Sequence, residues 1–458
     1  MNIIGHISSP LHFAVLLLAF SIGSTTANDP VSRFFNVCDY GAVGDGSTSC
    51  TDAINRAVAE CDSAGGGVVL FPEGRFLSGT IHLKSNITLK LESGARLIGT
   101  PDLQSYQFFT PPAGSFEAGF PKWHSALILG VGVENVSIIG PGVIDGNKVF
   151  NPNGEEKMRG PHTILFGRSS DIAIRDVSIT DSANYAVMLE WCDRVDVEDS
   201  EITGGWDGVH FRGSLDRFST DIRIRRCQFY TGDDSIAGRY VENFLVEDCL
   251  VNSSCNDIRI IGPMKHMIVH RCRFWGPGKH PHRTQDRYNM LAGIILQPGA
   301  WDPSEGPLED VVISDISMEN VAAPITIWLK RPGNTIDDVC ISRLTAKGVY
   351  RAAVSVESWV EQPIGSVSFN EIDISYQGGG KAMDPEAIGG NLGVDSRALQ
   401  AWGFYARNVD EISLRAVRWS AVEEDQRSSM MFDQVKRLYI DGEGSEEARE
   451  KARDGRKE

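Results

Sequence analysis

Short segments that alternate apolar and polar residues recur along most of the chain. Each begins with a polar residue and then places aliphatic residues at every second position, as in residues 221–227 (DIRIRRC), 243–249 (NFLVEDC) and 266–272 (HMIVHRC). A period of two predicts short β-strands with one face in the core. The cysteines that end these segments stand 22 and 23 residues apart. A repeat of this length is typical of a solenoid in which successive coils stack on one another.

The length of the repeat separates two all-β architectures. Further segments of the same pattern begin near residues 135, 171, 194, 310, 338, 366 and 411. Several successive intervals measure 22 to 28 residues, and those of 44 residues (266 to 310) and 45 residues (366 to 411) fit two coils each. A β-propeller is the alternative, but its blades need about 40 to 50 residues. We therefore predict an all-β, single-domain parallel β-helix over residues 28–441.

One helix is predicted close to the start of the solenoid. Residues 49–64 place apolar side chains at a helical period, with Ser49 or Thr51 as the N-cap and three glycines after the end. A helix at this point would cover the open end of the core. The polar insertions at 276–289 and 377–400 interrupt the repeat, and we expect them to be surface loops that form walls of a cleft.

The two termini differ from the rest of the chain. Residues 11–23 are apolar but too few to span a bilayer, and small residues follow as far as Ala27. This pattern predicts a signal peptide at 1–27 and a secreted protein, although the first ten residues contain no Lys or Arg. The alternative is a disordered start that is not a signal. Residues 442–458 are charged and lack apolar anchors, which predicts a disordered tail.

Net charge narrows the range of partners. The charge is −17, from 44 basic and 61 acidic residues, which argues against nucleic acid and against a membrane surface. An acidic polymer would therefore need a local basic cleft. No CxxC spacing indicates a metal site, and we expect no metal and no cofactor. A solenoid with capped ends is expected to be a monomer.

The nine cysteines are an odd number, so at least one is free or pairs between chains. Because Cys227, Cys249 and Cys272 end successive repeats, we expect them to stack in the interior as small apolar residues. Cys38, Cys50 and Cys61 lie close together, and a disulfide among them is compatible with secretion.

Three carboxylates lie between the predicted strands and are not part of their alternating pattern, namely Asp207, Asp233 and Asp234. By local pattern alone, Asp207 and Asp234 are turn residues, since Asp begins turns elsewhere in the chain. The segments that surround them resemble a known family, glycoside hydrolase family 28, the polygalacturonases. The resemblance rests on residues 35–46 (FNVCDYGAVGDG), 81–89 (IHLKSNITL), 140–147 (GPGVIDGN) and 232–237 (GDDSIA). It runs from about residue 35 to about residue 439 and implies a right-handed, pectin lyase-like β-helix and a glycoside hydrolase.

The motifs that carry the resemblance are only partly retained. Residues 205–208 (GWDG) keep the first acid, and Asp233 and Asp234 are both present. The third motif aligns with residues 255–257 (CND), which lack the family's histidine, and the fourth falls near 295–297 (ILQ), which lacks its Arg and Lys. In the family those two bases are thought to hold a substrate carboxylate. Their absence disfavours homogalacturonan, and rhamnogalacturonan-type pectin is the first expectation.

Hydrolysis with inversion needs a carboxylic acid and a carboxylate about 6.5–9.5 Å apart. Neighbouring coils lie about 4.8 Å apart, so acids one coil apart with a sideways offset reach this separation. The resemblance implies that Asp233 is the general acid, while Asp207 and Asp234 hold and deprotonate the water. Residues near these acids are candidates for substrate binding, and each is also open to a structural explanation: His210, Arg239, Asn256, Asp257, Arg259 and Trp301.

Two further functions remain open. A polysaccharide lyase on the same scaffold would need a basic residue to remove a proton next to a uronate carboxyl, often with calcium held by acids. A catalytically inactive carbohydrate-binding homologue would explain the loss of the family's other site residues.

Overall fold

The computed structural model describes residues 33–110, 124–301, 303–383 and 394–442. Its strands run parallel in a right-handed β-helix, with one strand per coil in each of three ladders. This confirms the predicted fold class. The predicted signal peptide and residues 443–458 of the predicted tail lie outside the described residues. No described helix is long and apolar enough to cross a membrane.

The strands are numbered here in chain order. The first ladder begins with β1 (Phe34–Asn36), β3 (Gly67–Phe71), β6 (Ile87–Leu91), β9 (Glu134–Ile139), β12 (Ser170–Arg175), β15 (Asp193–Glu198), β18 (Ser219–Arg225), β21 (Val241–Glu247) and β24 (Met264–His270). The second ladder contains β2 (Asp45–Ser49), β4 (Gly74–Ser78), β7 (Ala95–Gly99), β10 (Val143–Asp145), β13 (Ser178–Thr180), β16 (Glu201–Gly204), β19 (Gln228–Thr231), β22 (Leu250–Ser253) and β25 (Arg273–Trp275).

The third ladder contains β5 (Ile81–His82), β8 (Ala126–Val131), β11 (His162–Gly167), β14 (Val187–Glu190), β17 (Val209–Arg212), β20 (Ile236–Arg239), β23 (Asn256–Ile260), β26 (Ala292–Leu296), β28 (Ile325–Leu329) and β30 (Val354–Ser358). Longer strands complete the solenoid, namely β27 (Gly306–Glu319), β29 (Asn334–Val349), β31 (Ile364–Gly378), β32 (Ala401–Glu423) and β33 (Ser428–Ile440). The strand β27 pairs with both β24 and β25, so from this coil onward one strand continues through two ladders.

The polar residue that begins each repeat has a backbone role. Its φ is positive, at 55° for Asp221, 62° for Asn243, 53° for His266 and 56° for Asp310. Asn and Asp tolerate this left-handed conformation because their short side chains bond to nearby backbone groups. The apolar residues that follow stack from coil to coil, with Ile222 beside Phe244. The polar residue at the start of each repeat therefore fixes a bend in the coil, and the alternating apolar residues that follow it form the core.

The predicted helix is present as α1 (Thr51–Ser63). Its N-cap is Cys50 rather than Ser49 or Thr51. The buried face of α1, which includes Ile54 and Val58, joins the same core as the first strands. The helix therefore shields one end of the stack, as expected.

The two long intervals are one coil each, and the prediction of two was wrong. The strand β24 pairs directly with β27, with Met267 beside Val311. Likewise β31 pairs directly with β32, with Val367 beside Ile412. The additional residues lie in the polar insertions between these strands. The interval between two repeats gives only the number of residues between them. The same number of residues can form a second coil or a long loop.

The cysteines at the ends of the repeats lie in the interior as predicted, whereas the predicted disulfide near the start of the solenoid is absent. All nine are free. Cys227, Cys249 and Cys272 are buried in the core, as expected for a stack. Cys50 and Cys61 are also buried, and Cys38 is exposed, so proximity along the chain did not produce a disulfide.

Candidate active site

The third ladder brings the acids together. Asp207 and Asp234 each precede a strand by two residues, and β17 and β20 pair with Val209 beside Ile236. The two aspartates therefore occupy the same place on adjacent coils, about 4.8 Å apart along the axis. The amide of Gly208 donates to the carbonyl of Asp234 at 3.1 Å, which fixes this register at the turn. Asp233 is offset from them by one residue.

All three aspartates line one cavity of about 300 Å³. His210, Arg259 and Trp301 line it as well. The cavity therefore contains the predicted acids together with half of the predicted substrate-binding residues.

Asp207 is held by a buried chain of hydrogen bonds. The Nε of Arg212 donates to Nε2 of His210 at 3.0 Å, and so His210 donates from Nδ1 to Asp207 at 2.7 Å. Burial and the neighbouring Arg212 hold the pKa of His210 well below its usual value, which keeps the ring neutral. The ring of Tyr185 stacks on His210 at 4.3 Å, and thus fixes its orientation.

The acids differ in their charge environments. Burial, followed by repulsion from Asp233 and Asp234, raises the pKa of Asp207 well above its usual value. Burial also raises the pKa of Asp234, against the attraction of Arg259 at 3.5 Å. For Asp233 the effect of burial is outweighed by nearby cations, chiefly Arg159, and its pKa is lowered. In the free cavity Asp207 and Asp234 therefore hold a proton more readily than Asp233 does.

Two arginines approach these carboxylates. Nη2 of Arg159 lies 3.3 Å from Oδ2 of Asp233, and its guanidinium lies 3.8 Å from the ring centroid of Trp206. Trp206 is almost fully buried, so it supports Arg159 and does not offer a face to a sugar. Arg259 packs 5.0 Å from the ring of Trp301, which is 52% exposed.

The insertion at 276–289 forms one wall of the cavity. Nε2 of His282 lies 3.7 Å from Oδ1 of Asp233. The buried side chain of Asn252 holds the insertion by donating to the carbonyls of Trp275 and Pro277 at 2.7 and 2.9 Å. A Cβ on Gly232 would lie 2.2 Å from the carbonyl oxygen of Pro281. Glycine directly before the two aspartates is therefore what allows the loop to approach them.

Comparisons with known proteins find related sequences and a related fold. A family model described as "Rhamnogalacturonase A/epimerase, pectate lyase-like" matches residues 34–259. A probable polygalacturonase of Vitis vinifera is 29% identical over 213 residues, which cover 44% of this chain and 43% of that protein. An exo-poly-alpha-D-galacturonosidase of Dickeya chrysanthemi is 31% identical over 270 residues, which cover 46% and 43%. A solved polygalacturonase of Erwinia carotovora aligns with a TM-score of 0.58 at 19% identity, and the match covers 77% of this chain and 96% of that one.

The matches confirm the resemblance to polygalacturonases that the sequence motifs indicated. The alignments span less than half the length of the two sequence relatives named above. The likeness to the solved polygalacturonase establishes the fold alone.

Three of the predicted substrate-binding residues do not line the cavity of this polygalacturonase-like protein. Asn256 is fully buried, and its Nδ2 donates to Oδ1 of Asp234 at 2.7 Å, so it positions an acid. Asp257 is fully buried, and its carboxyl oxygens make no hydrogen bond among the described residues. Arg239 is 2% exposed. None of these three residues lines the cavity, and their direct contact with a sugar stays a prediction.

Several cavity residues were missed from the sequence. Tyr185 occupies the same register position as Asp207 and Asp234 one coil earlier, and this repeat position was a usable signal. His282 and Arg287 lie in the polar insertion at 276–289, for which the sequence predicts a cleft wall but no individual site residue. Arg159 carried no recognisable signal, since it lies in an irregular segment before β11.

Proposed function

We propose that the protein is a glycoside hydrolase that cleaves a pectin-like or other acidic polysaccharide by an inverting, two-carboxylate mechanism. The observation that carries the proposal is the convergence of Asp207, Asp233 and Asp234 in one cavity. Placement on adjacent coils with a sideways offset supports a separation that admits an attacking water between acid and base. The pKa of Asp207 is raised and that of Asp233 is lowered, and such a division between neighbouring carboxylates supports separate acid and base roles.

The proton must reach the leaving-group oxygen, and family resemblance gives that role to Asp233. In the free cavity Arg159 and Arg259 help to keep Asp233 ionised. A sugar carboxylate bound to these guanidinium groups would neutralise them and raise the pKa of Asp233. Binding of an acidic sugar would thus favour protonation of Asp233 and leave Asp207 and Asp234 to activate water.

The basic residues of the cavity support an acidic substrate. Arg159, Arg259, Arg287 and His282 line it on a protein whose net charge is −17. They would take the place of the absent family histidine and Arg–Lys pair, and the guanidinium groups suit bidentate binding of a carboxylate. Because the family's own bases are absent and the matching family model is described as rhamnogalacturonase A/epimerase, we propose rhamnogalacturonan-type pectin as the first candidate substrate.

The proposal includes secretion and a monomeric state. Secretion is supported by the apolar segment at 11–23, and a polymeric substrate outside the cell agrees with it. The monomer is supported by the helix that covers the first coil. Amino-terminal sequencing of the exported protein and light scattering of the purified chain test these two points.

The test is release of reducing ends from homogalacturonan, rhamnogalacturonan, xylogalacturonan, arabinan and algal polysaccharides. We expect activity on an acidic polymer and a loss of about 10²-fold or more in Asp207→Asn, Asp233→Asn and Asp234→Asn. Asp310→Asn is the matched control, because Asp310 is an exposed residue of β27 that does not line the cavity and whose positive φ Asn tolerates. Inverted anomeric configuration of the first product, followed by NMR, tests the mechanism.

Other outcomes point to the other functions. Absorbance from a new double bond in the product, without a water-derived reducing end, would identify a lyase. Binding to one polymer without cleavage of any would favour a carbohydrate-binding homologue. Full activity in all three variants would refute the assignment of the carboxylates.

A further inference from the structure

Three side chains of different chemistry meet at one side of the cavity. A carboxylate oxygen of Asp233, Sγ of Cys255 and a ring nitrogen of His282 all lie within 4.8 Å of one another. Each comes from a different part of the chain: the turn before β20, the turn before β23 and the insertion at 276–289. Among the described residues, this is the one group of His, Cys and acidic side chains with such spacing.

We propose that Asp233, Cys255 and His282 form a binding site for a thiophilic divalent cation such as Zn²⁺, and that the bound cation inhibits the enzyme by occupying Asp233. The binding site stands on its own geometry. The inhibition rests on the proposed function, since it requires that Asp233 take part in catalysis.

The donor set matches the preferences of zinc. Thiolate, imidazole and carboxylate are the three protein ligands of Zn²⁺, and three of them leave a fourth position for water. Nδ1 of His282 lies 3.3 Å from the hydroxyl of Thr284, which leaves Nε2 to face Asp233. A hydrogen bond on the outer nitrogen orients a ligating imidazole and strengthens it as a ligand. Binding forms a metal–sulfur bond, and the thiol proton of Cys255 leaves to solvent.

Some charged groups around the site oppose the binding of a cation and others favour it. Arg159 lies 3.3 Å from Asp233, and Nη2 of Arg287 lies 3.4 Å from Sγ of Cys255, so two guanidinium groups oppose a cation. Asp207 and Asp234 favour it, because mutual repulsion of the three carboxylates is relieved when a divalent charge lies among them. The thiolate gained on binding adds a further negative charge. A hard cation such as Ca²⁺ gains little here, since it prefers six to eight oxygen ligands.

The experiment measures metal binding by the purified full chain with Zn²⁺, Co²⁺ and Ca²⁺ alone. We expect one Zn²⁺ per chain by calorimetry and, with Co²⁺, a near-ultraviolet band from thiolate ligation. Both Cys255→Ser and His282→Gln should weaken Zn²⁺ binding by roughly 10-fold or more, and Cys255→Ser should abolish the Co²⁺ band. Ca²⁺ should not compete.

The controls address other thiols, other histidines and folding. Cys38→Ser removes the exposed free thiol, and His266→Gln removes an exposed histidine that pairs with Asp310; neither should change Zn²⁺ affinity. His282 lies on a surface insertion, so His282→Gln tests the site even if Cys255→Ser lowers stability, which circular dichroism will show. Unchanged affinity in both site variants, or no saturable binding, would overturn the metal site.

Activity separates the two proposals. We expect Zn²⁺ to inhibit the wild type and to inhibit His282→Gln at concentrations roughly 10-fold higher or more. Site-specific binding without inhibition of an active enzyme would overturn the inhibitory role. Site-specific binding to a protein that cleaves no polymer would leave the metal site in place and refute the hydrolase.

Discussion

Replacement of Arg159 tests whether nearby positive charge sets the pKa of Asp233 and thereby its role as acid or base. Among the charged neighbours of Asp233, Arg159 does most to lower its pKa, and its guanidinium lies 3.3 Å from the carboxylate. Arg159→Gln removes the charge and keeps a polar side chain, whereas Arg159→Lys keeps the charge. We expect the pKa of Asp233 to rise in Arg159→Gln, because burial, which raises it, is then opposed only by weaker attractions.

The size of the effect follows from the distance. Two unit charges 3.3 Å apart interact by about 5 kcal/mol at an effective dielectric constant of about 20. Each 1.36 kcal/mol or so of lost attraction displaces a titration by about one pH unit. Water that enters the space left by Arg159 recovers part of this energy, and His282 and Arg259 remain. We therefore expect a displacement of at least about one pH unit.

The assay is the pH dependence of kcat/KM, whose alkaline limb reports the acid of the free enzyme and whose acidic limb reports its base. If Asp233 is the general acid, its higher pKa in Arg159→Gln keeps it protonated to higher pH. The alkaline limb then moves to higher pH, while Arg159→Lys stays close to the wild type. Movement of the acidic limb instead would make Asp233 the base. Two limbs that coincide with the wild type in Arg159→Gln would refute the electrostatic reasoning.

Three further changes have defined outcomes. Trp301→Ala should raise KM roughly 5- to 30-fold with little change in kcat, since an exposed ring beside the cavity is a stacking platform worth about 1–2 kcal/mol, and Trp301→Phe should retain most of the affinity. Burial raises the pKa of Asp257 well above its usual value, so its contribution to stability is present at acidic pH and is lost as the pH rises; urea unfolding should show Asp257→Asn gaining stability over the wild type at pH 7 but not at pH 3, and an equal difference at both would contradict this. Phe244→Ala should lower the free energy of unfolding by about 3–5 kcal/mol in the same assay, because the side chain is 1% exposed and packs 4.7 Å from the ring of Phe211; a loss below about 1 kcal/mol would show that the core collapses around the change.

The sequence by itself determined that the strands stack in coils and that the acids lie on adjacent coils. Alternation with a fixed repeat specifies stacked strands, because a single coil cannot bury its apolar face and each neighbour must present the same pattern. The repeat also placed Asp207 one coil before Asp234, since positions separated by one period are neighbours in space. The capping helix was readable from its periodicity, and the interior cysteines from their spacing.

Only the tertiary structure decided what surrounds the acids. Arg159 and His282 reach Asp233 from irregular segments far away in sequence, which no period records. For the same reason the intervals of 44 and 45 residues fit two coils each in the sequence and are one coil each in the structure, since chain length does not distinguish a loop from a strand. Asn256 and Asp257 lie within the family's third motif, yet burial removes both from the cavity surface. A sequence repeat fixes the register of the backbone from coil to coil. The orientation and solvent exposure of each side chain depend on the loops that pack over the coils.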